Sequence, residues 1–246
     1  MAMAVLAGWM ITMRACKRTK IEPQQVADIA FYSVLIGILS AHIVSILLDF
    51  QIYWHDPSEI LRLWRGILSP EGGLRGLSFH GGLIGGVGFA LFYAHRHKLR
   101  FLDIADLFSP GLAVGYAIAR IGCFFNGCCY GVPTNLPWAV RFHIDPVSSY
   151  LTVPSHPTQI YASIASLFIY WALVSIRKRQ RYSGQVFLSY LTLYSVYRFL
   201  IEFLRSGVTA KVLFAGLTEA QFASMAILIV TCSLLWSMRN KAIAQV

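Results

Sequence analysis

Charge is scarce in this sequence, and negative charge scarcest. Only 13% of the 246 residues are charged, and the 11 acidic side chains face 21 basic ones. A soluble domain carries about a quarter of its residues as Asp, Glu, Lys and Arg, so a surface wetted on all sides is excluded. The short alternating segments of a β-barrel are absent too, which leaves helices as the only way to satisfy the backbone inside lipid. No internal repeat stands out, which argues against a transporter assembled from duplicated halves. The cysteines, Cys16, Cys123, Cys128, Cys129 and Cys232, are odd in number and lack the spacing of a disulfide framework, so they do not report a compartment. Cys123, Cys128 and Cys129 follow a C-x4-C-C spacing that matches no zinc motif, and three thiols do not complete a four-ligand site. No metal is therefore expected there. Buried free thiols are the common outcome for such a cluster, with a redox role as a lesser alternative. Residues 1–13 have no basic leader, so no cleavable signal peptide is expected.

What the chain has instead is apolar length. Hydrophobic residues make up 57% of it, and the mean hydropathy is +0.59. Runs of spanning length recur at about 1–13, 26–49, 77–94, 102–125, 158–176, 185–203 and 213–236. The expected fold is all-α: one polytopic transmembrane domain over residues 1–246 with about seven spans. The first run is short for a bilayer, so its helix is tilted, continues into the basic stretch that follows, or has lost its start.

The basic residues set the orientation. Arg14, Lys17, Arg18, Lys20, Arg96, Lys98, Arg100, Arg177, Lys178, Arg179, Arg181, Arg239 and Lys241 fall on one side of these spans; Arg62, Arg65, Arg75, Arg141, Arg205 and Lys211 fall on the other. The heavier side is cytoplasmic, which puts the C-terminus inside and the N-terminus outside. A net charge of +10 is thereby read as a topology signal, and nucleic-acid binding is set aside. The outer loops, about 50–76 and 126–157, hold Trp54, Trp64 and Trp138, as befits arms lying at the interface.

Two arginines do not fit the loop pattern. Arg120 and Arg198 lie within apolar runs, where an ionisable residue is costly and marks a site by default. A guanidinium there suits the bidentate binding of a phosphate, such as that of a lipid headgroup. Each arginine could instead pair with a carboxylate, Asp106 or Glu202, or snorkel to water, but two arginines with fewer buried acids to neutralise them favour the anion-binding reading. Tyr194, Arg198, Glu202 and Arg205 recur at spacings of four, four and three, one polar stripe that faces either a ligand or neighbouring helices. His80 precedes Gly81, Gly82, Gly85 and Gly86, whose first reading is close helix packing. His80 itself is either a structural histidine, the commoner outcome, or a base for an alcohol or thiol.

Four ordered blocks resemble a known family, across residues 8–238. They are Leu77-Ser-Phe-His-Gly-Gly-Leu-Ile-Gly85; Arg120-Ile-Gly-Cys-Phe-Phe-Asn-Gly-Cys-Cys-Tyr-Gly131 with the Val-Pro-Thr-Asn-Leu-Pro-Trp138 that follows; His156-Pro-Thr-Gln-Ile-Tyr161; and residues 194–205. The chain is similar to the prolipoprotein diacylglyceryl transferases of the bacterial inner (cytoplasmic) membrane. The resemblance implies transfer of a diacylglyceryl group from phosphatidylglycerol to the lipobox cysteine of a preprolipoprotein signal peptide, with release of glycerol phosphate. It implies no dissociable cofactor; the orientation of the spans puts the site of this multi-pass protein on the periplasmic side, and a monomer is the default expectation. On this pattern Arg120 and Arg198 hold the phosphate and His80 is the base, while Asn126, Gly131, Tyr194, Glu202 and Arg205 line or support the site. The family signature, Gly-Arg-x-Gly-Asn-Phe-x-Asn-Gly-Glu, is altered here: Ala119 precedes the arginine, Cys123 replaces the first asparagine and Cys128 the glutamate. Those changes keep two alternatives in view, a divergent paralogue with another acceptor and a non-catalytic phospholipid-binding or thiol-responsive membrane protein.

Overall fold

A computed structural model describes residues 1–17, 19–55, 77–143, 150–205, 212–214 and 216–243. Arg18, Arg62, Trp64, Arg65, Arg75 and Lys211, all used above for topology or interface, lie outside the described residues. The chain divides into two compact units, Cys16–Phe101 and a larger one made of Met1–Ala15 with Leu102–Val246.

The smaller unit is built on α2 (Pro23–Leu48), the short α3 (Phe50–His55) and α4 (Phe79–Arg96). Proline at the first turn and a reciprocal Glu22–Gln25 capping box start α2. Its partner is α4, and glycine decides how near the two helices come. A Cβ on Gly81 would lie 2.6 Å from the Val44 Cβ and 2.7 Å from the Ser40 carbonyl, and one on Gly82 would meet Ala41. The glycines therefore do the packing expected of small residues at a membrane-helix contact. At the start of α4, Ser78 accepts a hydrogen bond from Gly81 N–H, and its own N–H donates to the Ala41 carbonyl at 3.0 Å. Toward the other end, the Tyr93 hydroxyl donates to Asp28 at 3.0 Å.

The larger unit contains α1 (Ala2–Cys16), α5 (Phe101–Phe125), α6 (Thr158–Lys178), α7 (Gln185–Glu202), a small antiparallel ribbon of β1 (Val212–Phe214) and β2 (Leu217–Thr218), and α8 (Glu219–Ile243). Its core joins Ala113 of α5, Ile169 and Leu173 of α6, and Val186 of α7, all buried. The Ser166 hydroxyl donates across to the Ala113 carbonyl at 2.8 Å, and Thr192 donates to Thr231 at 2.9 Å between α7 and α8.

Asp106 ties α5 to the start of α7. It does not pair with an arginine, one of the alternatives the sequence offered. Its carboxylate accepts from Gly184 N–H at 2.6 Å, Phe187 N–H at 2.7 Å and the Gln180 side-chain amide at 2.6 Å. Gly184 occupies the N-cap position of α7 with φ +89° and has no side chain to cap with. The aspartate supplies from another helix the acceptor that a cap residue normally provides, and its charge opposes the positive end of the α7 dipole.

Each of the seven apolar runs is occupied by a helix, and four of those helices, α2, α5, α6 and α8, are long and apolar enough to cross a membrane. The protein is thus mostly helical and of the membrane type. α1 extends to Cys16, so the short first run does continue into the basic stretch. The last run begins differently from expectation. Leu213 and Phe214 lie in β1 and Leu217 and Thr218 in β2, and α8 starts only at Glu219, because Thr218 and Gln221 cap it reciprocally: Thr218 N–H donates to the Gln221 side chain at 2.9 Å, and Gln221 N–H donates to the Thr218 hydroxyl at 3.3 Å.

Removing the carboxylate with Asp106→Ala orphans two α7 amides and should lower stability by about 3 kcal/mol, the scale for hydrogen bonds to a charged group. Thermal unfolding in detergent measures this, and an unchanged midpoint would dismiss the capping role.

Candidate active site

The stripe on α7 converges on one carboxylate. Glu202 is 3% exposed, forms an ion pair with Arg198 one turn earlier, accepts from the Thr218 hydroxyl at 3.1 Å, and has Arg205 Nε at 3.9 Å. A buried carboxylate left alone would cost several kcal/mol, so these partners are a condition of its being there. Arg205 itself is not on α7, which ends at Glu202; it follows the helix, and its backbone forms an isolated bridge with Gly131. The four-residue stripe is therefore three helical residues plus one held by a loop.

That loop is fixed by the absence of a side chain. Gly131 N–H donates to the His156 carbonyl at 2.8 Å, and Val132 N–H to the Leu204 carbonyl at 2.9 Å. A Cβ on Gly131 would run into the Leu204 carbonyl, with the Thr158 methyl carbon at 2.7 Å and the His156 Cβ at 2.9 Å. Only glycine lets the segment after α5 lie directly against the end of α7.

Arg120 belongs to the same unit. Its guanidinium lies over the Tyr116 ring, 4.8 Å from the centroid, a cation–π contact. Among the described residues no carboxylate pairs with it. The Tyr116 ring meets Tyr194 edge-on at 5.6 Å and Tyr197 at 6.4 Å, and Tyr194 sits one turn before Arg198. An aromatic group thus bridges the helices that carry Arg120 and Arg198. It offers the Arg120 guanidinium a polarisable face and no neutralising anion, which suits binding of an anionic ligand.

Asn126 is exposed just past α5, its N–H donating to the Gly122 carbonyl at 3.0 Å. The thiols of Cys123, Cys128 and Cys129 lie within 4.8 Å of one another. Burial pushes the Cys128 thiol up in pKa, and a hydrogen bond with Cys123, then burial, pushes Cys129 up. His80 stands in the smaller unit, exposed in the first turn of α4, with its ring 5.8 Å from that of Phe79.

Sequence reasoning missed Tyr116, Tyr197, Thr218 and Gln221. Tyr116 precedes Arg120 by four, as Tyr194 precedes Arg198, so the spacing rule used on α7 would have found it. Thr218-Glu-Ala-Gln221 is a legible capping box hidden by starting the last helix too early. The Trp138 indole donates to the Tyr161 hydroxyl at 2.6 Å, with His156 Nδ1 at 3.3 Å from the same oxygen; no pattern in the sequence announces that trio.

The pattern of the family described as prolipoprotein diacylglyceryl transferase matches residues 1–237. The chain belongs to that family. It is similar to a phosphatidylglycerol--prolipoprotein diacylglyceryl transferase of Clostridioides difficile (strain 630), 34% identical over 225 residues, 92% of this chain and 83% of the relative. The like-named protein of Finegoldia magna is 31% identical over 228 residues, covering 92% and 84% of the two chains. That of Staphylococcus aureus (strain MSSA476) is 30% identical over 244 residues, covering 98% and 83%. The diacylglyceryl transferase family thus extends over both units of the chain.

Glu202→Ala leaves Arg198 and Arg205 without their shared counter-charge and should destabilise the protein by about 3–5 kcal/mol, the scale for breaking a buried ion pair. Unfolding in detergent reads the loss; a stability within about 0.5 kcal/mol of the parent would show that the carboxylate does not organise the cluster.

Proposed function

We infer that this protein transfers a diacylglyceryl group from phosphatidylglycerol to the cysteine thiol of prolipoproteins, releasing glycerol phosphate. Membership of the transferase family carries the reading. It is supported by three partly buried arginines of the larger unit, Arg120, Arg198 and Arg205.

The chemistry needs three things. The phosphate must be held, and Arg120 with the Arg198–Arg205 pair is assigned to it, since planar guanidiniums grip phosphate oxygens bidentately. Negative charge must be stabilised as the carbon–oxygen bond to the phosphate breaks, and the same cations do so without reorganising. The thiol must lose its proton, because a free cysteine with pKa near 8.5 is mostly protonated at neutral pH. His80 is assigned as the base: it is exposed, and imidazole is the side chain most often used for general-base catalysis. The sulfur then forms the new bond to the glyceryl carbon, and the electron pair of the broken bond leaves on glycerol phosphate. Asn126, Gly131, Tyr194, Glu202 and Arg205 are assigned as the lining and support of the headgroup. No cofactor is required by these steps.

On this reading the protein is a monomeric single domain with seven spans in the bacterial inner membrane, N-terminus outside, C-terminus cytoplasmic, the site on the periplasmic side, and a lipobox signal peptide as acceptor. The excess of basic residues on one side of the helices supports the orientation. A second reading, a paralogue with a different acceptor, rests on Cys123 and Cys128 standing where the family signature has asparagine and glutamate.

In proteoliposomes of phosphatidylglycerol with a lipobox peptide, Arg120→Ala should lower transfer by about 10²-fold or more. His80→Ala should lower it by about 10²-fold, the lower end for loss of a general base. Full transfer by either folded variant removes the role assigned to that residue.

A further inference from the structure

We propose that Cys123, Cys128 and Cys129 form a three-thiolate binding site for a soft, thiophilic d10 cation, Cu(I) or Zn(II). The C-x4-C-C spacing points to no closed four-ligand motif, but a three-coordinate site does not need one. Cu(I) takes soft thiolate ligands, and Zn(II) with three protein ligands keeps an open fourth position.

The geometry carries the proposal. With metal–sulfur bonds of about 2.3 Å, three sulfurs around one ion sit about 3.8–4.0 Å apart. Here Cys128 and Cys129 are 3.4 Å apart, and all three thiols fall within 4.8 Å. Shifts of under about 1 Å would close the triangle. The loop is already shaped for it. Gly127 and Cys129 both adopt left-handed backbone, with φ +67° and +66°, a region that residues other than glycine avoid. Cys128 N–H donates to the Cys123 carbonyl at 3.2 Å.

The surroundings meet two further demands of a metal site, a supporting layer and a way in. Buried Gln159 donates to the Cys128 carbonyl at 2.7 Å, and buried Thr158 to the Cys129 carbonyl at 2.8 Å, so the first turn of α6 clamps both halves of the dicysteine. Cys129 is exposed and gives entry. Three thiolates with a divalent cation keep one net negative charge, and with a monovalent cation two, and Arg120 one turn before Cys123 is the neighbouring counter-charge.

The test uses the full chain in detergent, reduced with a phosphine and stripped with a chelator. It is titrated with Cd(II) as optical probe, then with Zn(II) and with Cu(I) against colorimetric chelators. The expected result is one cation per chain, a thiolate-to-cadmium charge-transfer band, and loss of both in the C123S/C128S/C129S variant whose helical circular dichroism matches the parent. Gln159→Leu, which keeps every thiol, should weaken binding by about 10-fold. The competition arms decide between the two cations. No charge-transfer band, equal stoichiometry in the triple variant, or a reduced sample that reverts in air to a disulfide two hydrogens lighter and takes up no cation would overturn the proposal.

Discussion

A carboxylate with 3% exposure in a chain with so few acids is the constraint around which the larger unit is arranged. Glu202 must have partners where it lies, and it draws them from three directions: Arg198 from its own helix, Arg205 from the loop after it, and Thr218 from the cap of α8. Thr218 serves twice, capping α8 and donating to the carboxylate, so the start of the last helix and the end of α7 are fixed by one hydroxyl. Gly131 completes the arrangement by admitting the segment after α5 against Leu204 and Arg205. Arg198 and Arg205 are thereby held in an apolar setting around one buried carboxylate.

The helices were legible because their cause is local. A run of apolar residues long enough to span lipid has no other backbone solution, and each such run is a helix here. Boundaries were harder, for reasons that differ by element. The last helix was started at 213 on hydrophobicity alone, while Thr218 and Gln221 place its first turn at Glu219. Asp106 could not be placed from sequence, since its partners at Gly184 and Phe187 lie about eighty residues away and only the folded chain brings them together.

The site divides along the same line. Arg198 and Glu202 were readable as a pair from their spacing of four, and Gly81, Gly82 and Gly85 as packing residues from their clustering. Arg205 was placed on the same helix by periodicity, and the helix ends before it. Tyr116 carries the contact that defines the setting of Arg120, yet it is one aromatic among many in an apolar run. The convergence of three thiols depends on two left-handed residues and two side-chain clamps from α6, none of which a cysteine spacing encodes.

Family membership and the arginine cluster lead to one central claim, that phosphatidylglycerol is consumed only as its diacylglyceryl group passes to a thiol. The direct measurement is a time course of glycerol phosphate release by the unmodified protein in phosphatidylglycerol vesicles, with and without a lipobox peptide, alongside the mass of the peptide. Release that requires the peptide and equals its gain of a diacylglyceryl thioether, one for one, is the result this account predicts. Lipid binding without release, or release that proceeds equally without the thiol, would contradict it.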